Sequence, residues 1–182
     1  LWFDDQGETR RIDVNGRTTQ KIVKNGRTHL ITDSAGNVTR KDYDEWDNLT
    51  KVAFPDGSEA EYEYDLRFNR VKRIVDEKGT VHEFEYDESG NATRKIVAAG
   101  SPDEQITEYE YDASGNRTVI RRLKYENGAY STDAEILMSY DQYGNRISET
   151  DPEGNTAYFT YDTAGNIIGR EDASGHAWLY TY

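Results

Sequence analysis

The sequence has no cysteine, one methionine and three prolines among its 182 residues. Without cysteine there is no disulfide framework and no thiolate metal site, although export stays open because large secreted repeat proteins can dispense with disulfides. Only 35% of the residues are apolar, and no run of them approaches the roughly 18 needed to span a bilayer. The first residues show neither a basic start nor an apolar stretch. We therefore expect no membrane insertion.

Charge of one sign dominates the composition. The formal net charge is -13 and the isoelectric point is near 4.7, which opposes binding to nucleic acid or to an anionic membrane. A mean hydropathy of -0.97 with 31% charged residues is close to that of disordered chains. The 14 tyrosines argue against disorder, because pleated sheets pack such large half-apolar rings well.

The most informative feature is a repeated turn motif that begins with tyrosine and aspartate. Four copies end in glycine and asparagine, and two weaker copies, YDEWDN and YDLRFN, precede them. The residues that define the repeat are Tyr43, Asp44, Tyr64, Asp65, Tyr86, Asp87, Gly90, Asn91, Tyr111, Asp112, Gly115, Asn116, Tyr140, Asp141, Gly144, Asn145, Tyr161, Asp162, Gly165 and Asn166. Aspartate caps a type I turn and glycine supplies the positive φ that follows it, so each copy predicts a β-hairpin.

A second class of turn lies between these copies, as in DSAG from Asp33, PDG from Pro55 and DPEG from Asp151. With the weaker centres Gly7, Gly16, Gly26, Gly100 and Gly128, sixteen turns follow one another, mostly 9 to 11 residues apart. The intervening residues alternate between aromatic and acidic, which is typical of strands. The sequence predicts an all-β fold, an antiparallel meander of about seventeen short strands that curves or spirals as a strip.

Two regions depart from the repeat. Asp47 and Phe68 stand where glycine is expected, so we expect the following Asn48 and Asn69 to take the left-handed conformation. Turn spacing also widens between Gly100 and Gly144. Longer strands or a protruding loop are predicted there, around Ala98 to Gln105 and Glu126 to Asp133.

The pairing of Y-x-Y-D-x-x-G-N with D-x-x-G about ten residues later resembles the RHS/YD-repeat family, which includes bacterial Rhs effectors, toxin-complex shell subunits, wall-associated proteins and teneurins. The resemblance is specific over 43–182 and looser over 1–42, which we interpret as degenerate hairpins continuous with the main array. Tyr182 follows Tyr161 by the same 21 residues that separate Tyr161 from Tyr140, so we expect the array to be cut in mid-repeat.

The resemblance implies a hollow shell built from a spiralling β-strip, which in polymorphic toxins encloses a C-terminal toxin. We accordingly expect a non-catalytic structural segment of a larger bacterial protein that is secreted or placed at the cell surface. Its expected partners are further YD repeats of the same parent chain and a toxin cargo, or a glycan or protein of a cell surface. We also expect the isolated chain to self-associate through unpaired strand edges or its aromatic face.

Two alternatives assign binding or catalysis to the chain. The first is an extracellular module that binds glycans or proteins through exposed aromatic rings, with Trp46, inside a turn, as the best contact candidate and Trp2 and Trp178 as others. The second, more remote, is a carbohydrate-active enzyme using carboxylate pairs such as Glu61 with Glu63 or Glu83 with Glu85, at the separation that glycoside hydrolysis requires. Several repeats carry such pairs, which favours a solvated strand face instead.

We expect no cofactor, no metal site and no catalytic residue. The turn aspartates resemble calcium ligands, but each is needed to cap its own turn and D-x-x-G-N offers one acidic side chain. His29, His82 and His176 are isolated from one another, and no cysteine accompanies them. Ser89 and Ser114 lie inside turns and not in a nucleophile motif.

Overall fold

The computed structural model describes the backbone of residues 3–4, 7–14, 17–24 and 26–182, and the side chains of residues 20–24 and 26–182. Two compact units are present, Leu1–Glu83 and Phe84–Tyr182, and the division between them falls within one strand. The described residues contain seventeen strands and no helix, which confirms the predicted all-β fold. No helix able to span a membrane occurs in this described part.

The strands of the first unit are all antiparallel to their sequence neighbours. Their bounds are β1 Phe3–Asp4, β2 Gly7–Val14, β3 Arg17–Lys24, β4 Arg27–Thr32, β5 Val38–Tyr43, β6 Leu49–Ala53, β7 Glu59–Asp65, β8 Arg70–Val75 and β9 Val81–Tyr86. Gly7 is the first residue of β2 and pairs with Asp4, so the prediction of Gly7 as a turn centre is wrong. Trp2 and Gly16 lie outside the described residues.

The second unit is a meander of consecutive antiparallel strands. Its strands are β10 Ala92–Val97, β11 Gln105–Tyr111, β12 Arg117–Glu126, β13 Ala129–Tyr140, β14 Arg146–Thr150, β15 Thr156–Tyr161, β16 Ile167–Glu171 and β17 Ala177–Leu179. Strands β12 and β13 contain 10 and 12 residues, so the predicted lengthening near 126–133 is a long hairpin.

A β-bulge precedes the tyrosine of the YD hairpins. In β11 and β12, Glu110 pairs with Val119 and Tyr111 with Arg117, which leaves Thr118 as the extra residue. The same shift occurs before the tyrosines at the ends of four other strands, namely Tyr43, Tyr64, Tyr140 and Tyr161. A bulge increases the local twist of a hairpin, so each YD hairpin adds twist at its turn end.

The core is small because each unit is a single layer of strands. The buried apolar residues among the described side chains are Val23, Val52, Ala60, Ile106 and Val119, and no polar residue is buried with them. Val52 and Ala60 are cross-strand partners, and Tyr62 and Tyr64 continue their face along β7. The alternation predicted from sequence therefore gives one half-buried tyrosine face in this hairpin.

Candidate functional site: the edge of stacked turns

The aspartate of each YD turn binds its own turn with both carboxylate oxygens. Asp112 Oδ1 accepts hydrogen bonds from the backbone N–H groups of Ser114 and Asn116, both at 2.9 Å. Its Oδ2 accepts one from Asn116 Nδ2 at 3.0 Å. The backbone closes the same turn, since Asp112 N–H donates to Asn116 O and Gly115 N–H donates to Asp112 O. Each polar group of the turn that needs a partner thus finds it locally.

The same pattern recurs at both ends of the strands. Asp87, Asp141 and Asp162 bind Asn91, Asn145 and Asn166 in the YD turns. In the intervening turns, Asp33 and Asp151 bind Asn37 and Asn155 in the same way. The asparagine is therefore a second capping residue, a role that the sequence interpretation did not assign to it.

Hydrogen bonds hold these aspartates ionised. The side chain of Asn116 and then its backbone N–H lower the pKa of Asp112, and Asn166 lowers the pKa of Asp162 in the same order. At Asp65 the lowering comes first from the side chain of Arg67, which donates to both carboxylate oxygens. A carboxylate whose charge is already used by neighbouring donors is a poor candidate for a general acid or a metal ligand.

The degenerate turns differ from the prediction at one of two positions. Asp47 itself adopts a positive φ of 66°, so the expectation that Asn48 would do so is wrong. In the next YD turn Asn69 is left-handed with φ of 52°, as predicted. Aspartate tolerates this conformation because its short side chain hydrogen-bonds locally, whereas phenylalanine does not, so the second turn moves the conformation from Phe68 to Asn69.

At five YD turns the tyrosine hydroxyl joins the turn to the strand before it. Tyr64 donates to Leu49 O at 2.9 Å and Tyr111 donates to Ala92 O at 2.8 Å. The acceptor in both is the residue directly after the asparagine of the preceding YD turn. Tyr140 and Tyr161 bind Arg117 O and Arg146 O in the same relation, and Tyr43 binds Thr28 O. We call this contact the tyrosine clasp.

Stacking brings successive YD turns close together. In the first unit Asn48 Nδ2 donates to Asn69 Oδ1 at 2.5 Å. In the second unit Asn116 Oδ1 lies 3.6 Å from the position a Cβ would occupy on Gly144. Shallow grooves separate the turns, one of about 680 Å³ between the Asp87 and Asp112 turns and one of about 650 Å³ between the Asp141 and Asp162 turns.

Comparison with known proteins supports the repeat assignment. The RHS Repeat family model matches residues 24–59, which contain the first YD turn and the turns on either side of it. Residues 24–59 therefore match an RHS repeat. The predicted resemblance is thereby confirmed, and the match also crosses the predicted boundary at residue 42, while the division into 1–42 and 43–182 stays a prediction.

Solved structures similar to this chain are toxin complexes. A crystal structure of TcdB2-TccC3 without its hypervariable C-terminal region is 20% identical, with a TM-score of 0.67, and covers 88% of this chain and 9% of its own. A Photorhabdus luminescens Tc holotoxin pore structure with a mutated TccC3 is also 20% identical, with a TM-score of 0.66 over 86% of this chain. The chain thus spans about 9% of the length of these similar chains. No curated protein matches it by sequence.

The strand face opposite the tyrosines is charged and not simply acidic. Lys51 Nζ lies 2.6 Å from Glu59 and 3.6 Å from Glu61, and Arg73 lies 3.1 Å from Glu63. In the second unit Arg121 lies 3.1 Å from Glu110 and 2.7 Å from Glu135. Basic residues therefore separate the carboxylates, which corrects the expectation of an acidic face. The sequence interpretation missed this because cross-strand register decides which charges meet.

These ion pairs bear on the glycosidase alternative. Glu63 and Glu83 both contact Arg73, so a carboxylate from each candidate pair shares one guanidinium. Glycoside hydrolysis needs two carboxyl groups in unlike surroundings, one with a raised pKa. The repeated Glu–Arg–Glu arrangement offers similar surroundings to each carboxylate.

The histidines and serines named from sequence lie in separate structural contexts. The His29 ring packs 5.1 Å from Tyr43, His82 lies 3.6 Å from Asp76, and His176 takes the asparagine position of its turn beside Asp172. Ser89 and Ser114 donate backbone N–H groups to their turn aspartates. Among the described residues, no three histidine, aspartate or glutamate side chains form a metal-binding group.

Exposed aromatic residues occur at the tips of two YD turns. Trp46 is 55% exposed and Tyr143 is 80% exposed, and both are the third residue of their turn counted from the aspartate. Trp178, on β17, is 43% exposed, with the Arg170 guanidinium 5.4 Å from the centre of its ring. Trp46 is therefore accessible for contact, as its position inside a turn had suggested.

Proposed function

We propose that the chain is a non-catalytic wall segment of an RHS-repeat shell, within a larger bacterial protein that is secreted or displayed at the cell surface. The shell would encapsulate or present a C-terminal toxin or effector, and the partners of this segment would be further YD repeats of the same parent chain. No cofactor is required for this role.

One observation supports the proposal, which is that the repeated side-chain contacts either close a turn or join neighbouring hairpins. The aspartates of the YD turns bind donors of their own turns with both carboxylate oxygens, and the tyrosine clasp links four of the YD turns to the one before. Repetition of the same contacts builds a strip of any length and sets no repeat apart for chemistry. Fold similarity to TcdB2-TccC3 toxin structures supports the same role.

The experiment is limited proteolysis and cryo-electron microscopy of the full-length protein that contains this segment. We expect residues 26–182 in a continuous β-wall around internal density, with the residues C-terminal to the repeats protected until the shell is opened. An extended array without an enclosed volume, whose C-terminal residues are cleaved as fast as in isolation, would contradict the proposal.

A second candidate is the cell-surface binding module, favoured by the groove beside Tyr143. That groove is also lined by Asn145, Phe159 and Tyr161, and flat rings beside amide groups suit the faces and hydroxyls of neutral sugars. Binding of the chain to neutral glycans on an array, lost in Tyr143→Ser, would establish this function. Absence of binding to any glycan, or binding unchanged by Tyr143→Ser, argues against the groove as a sugar site.

A further inference from the structure

Asn127 and Gly128 form the tip of the long hairpin β12–β13. Only these two residues connect the paired ends of the strands, and their φ values are 54° and 84°. Two positive φ values make this a type I′ turn, for which Asn-Gly is a favoured pair. Both residues are exposed. Among the described residues Asn127 is the only asparagine that precedes a glycine, and Asn15 and Asn25, which do so as well, lie outside them.

Asn127 differs in two ways from the exposed asparagines of the capped turns. At Asn155 and Asn166 the side-chain amide donates to the turn aspartate, at 3.0 Å and 2.9 Å. No hydrogen bond joins the Asn127 side chain to another described residue. Asn155 and Asn166 also precede threonine and isoleucine, whose branched side chains crowd the backbone nitrogen, whereas Gly128 has no side chain. The Asn127 amide is therefore free, and the backbone nitrogen after it is open to approach.

The end of this hairpin extends beyond the neighbouring strands. Pairing of β12 with β11 ends at Leu123, and pairing of β13 with β14 begins at Leu137. Beyond these residues the described ladder joins only β12 to β13, and the ring pair that supports it, Tyr125 and Tyr130, is 62% and 47% exposed. A strand end with few neighbours opens locally at a small cost in free energy. Opening lets the turn residues rotate, which the closed turn prevents.

We propose that Asn127 is a site of spontaneous covalent modification to aspartate and isoaspartate, and that the isoaspartate form loosens the loop 98–104. The Gly128 backbone nitrogen attacks Asn127 Cγ and loses its proton. The new N–Cγ bond closes a cyclic imide, the Cγ–Nδ2 bond breaks and ammonia leaves. Water then opens the imide. Attack of water on Cγ gives aspartate, whereas attack on the main-chain carbonyl carbon of Asn127 breaks the original peptide bond and gives isoaspartate.

The two products have different effects on the hairpin. Aspartate fits the same turn, because Asp-Gly is also a favoured type I′ pair. Isoaspartate lengthens the main chain by a methylene group, so the turn no longer matches the register that pairs Tyr125 with Tyr130. The Tyr130 hydroxyl binds Glu104, so loss of this register weakens the attachment of the loop 98–104. A reaction at the tip of the hairpin thus changes a loop that precedes it by more than twenty residues.

Peptide mapping by mass spectrometry, after incubation of the chain in mildly alkaline buffer, measures the reaction at each asparagine. We expect Asn127 to be converted faster than Asn155 and Asn166 by about tenfold or more. These two are internal controls in the same sample, since they are also exposed but are capped and precede branched residues. Chromatography should separate two products of the Asn127 peptide, one with aspartate and one with isoaspartate.

Amide exchange at Gly100, followed by NMR, measures the effect on the loop. The Gly100 N–H donates to Glu104 at 2.7 Å, and its exchange should be faster in the fraction that contains isoaspartate at position 127. Asn127→Gly is the matched control, because Gly-Gly also suits a type I′ turn and the reactive amide is removed. Incubated in the same way, this variant should keep the exchange rate of the fresh chain. Freshly prepared Asn127→Asp adds the charge without the longer main chain, and should also keep that rate.

Two results would overturn the proposal. The first is conversion of Asn127 at the same rate as Asn155 and Asn166, which would show that the closed turn protects the amide. The second is an isoaspartate fraction in which Gly100 exchanges as slowly as in Asn127→Asp, which would show that the longer main chain does not affect the loop.

Discussion

At the scale of the residue, the tyrosine hydroxyl adds a function that the ring alone does not provide. The ring of Tyr111 packs on its strand face, and its hydroxyl joins β11 to the start of β10 by donating to Ala92 O at 2.8 Å. At Tyr64, burial raises the pKa and the charge of Asp44 adds to it, so that hydroxyl stays protonated and able to donate. In four clasps the acceptor is the residue directly after the asparagine of the preceding YD turn, so the hydroxyl contact is a part of the repeat.

Replacing Tyr111 with phenylalanine tests the clasp. Because the ring is retained and one neutral hydrogen bond is lost, we expect the free energy of unfolding to fall by about 1 kcal/mol. Urea denaturation followed by circular dichroism measures the change.

Tyr109→Phe is the control for this substitution. Tyr109 lies on the same strand face, with the Arg117 guanidinium 4.5 Å from its ring centre, and its hydroxyl donates to no described residue. We expect a change within about 0.5 kcal/mol. Equal destabilisation by the two substitutions would show that the hydroxyl of Tyr111 has no special role.

At the scale of the element, side-chain contacts stabilise the long hairpin β12–β13. Tyr125 and Tyr130 are cross-strand partners with ring centres 4.9 Å apart, and the Tyr130 hydroxyl binds Glu104 in the preceding loop. Glu104 also accepts from the Gly100 N–H at 2.7 Å. The loop 98–104 is therefore joined to the hairpin, beside Ile106, the most buried large side chain described.

We expect Tyr130→Phe to make the loop 98–104 more mobile, because it removes the hydroxyl that binds Glu104. The Tyr130 hydrogen bond is the main cause that lowers the pKa of Glu104, followed by the Gly100 N–H. Its removal should raise the pKa of Glu104 toward its usual value and speed amide exchange at Gly100 and Gln105, which NMR can follow.

Tyr125→Phe provides the comparison for the loop. It keeps the ring pair and leaves the Glu104 contact in place, so the Glu104 pKa and the loop exchange rates should stay at the values of the original chain. If Tyr130→Phe behaves in the same way as Tyr125→Phe, the loop is held by other contacts.

At the scale of the whole molecule, the capped turns link stability to pH. Eleven turn aspartates have a lowered pKa, namely Asp33, Asp44, Asp56, Asp65, Asp76, Asp87, Asp112, Asp141, Asp151, Asp162 and Asp172. A depressed folded-state pKa contributes stability that is present above the unfolded pKa and is lost as pH falls through the folded one. The chain should therefore be least stable in acid.

Denaturant unfolding from pH 7 to pH 2 measures this dependence. We expect a nearly constant free energy of unfolding down to about pH 5 and then a steep loss with uptake of several protons. Asp112→Asn keeps an acceptor in its turn without an ionisable group, and should make the acid slope shallower. If the free energy of unfolding changed with pH as for the uptake of a single proton, the expectation that several turn aspartates contribute would be wrong.

The sequence by itself determined the strand order and the turns. Aspartate and glycine at regular spacing have strong local preferences, so the reversals at Asp87, Asp112 and Asp162 follow from residues within five positions of each other. The alternation along Glu61, Tyr62, Glu63 and Tyr64 fixed the two faces for the same reason. Local preferences were sufficient because the described strands pair with their neighbours in sequence.

Tertiary structure decided the contacts between hairpins. The bulge at Thr118, the clasp from Tyr111 to Ala92, and the arginines between the glutamates all depend on the register of one strand against the next. Register shifts of one residue exchange the faces of a strand, and no local preference sets them. The left-handed conformation also depended on the folded turn. Aspartate and asparagine both tolerate it, and the geometry of the turn selects Asp47 and not Asn48.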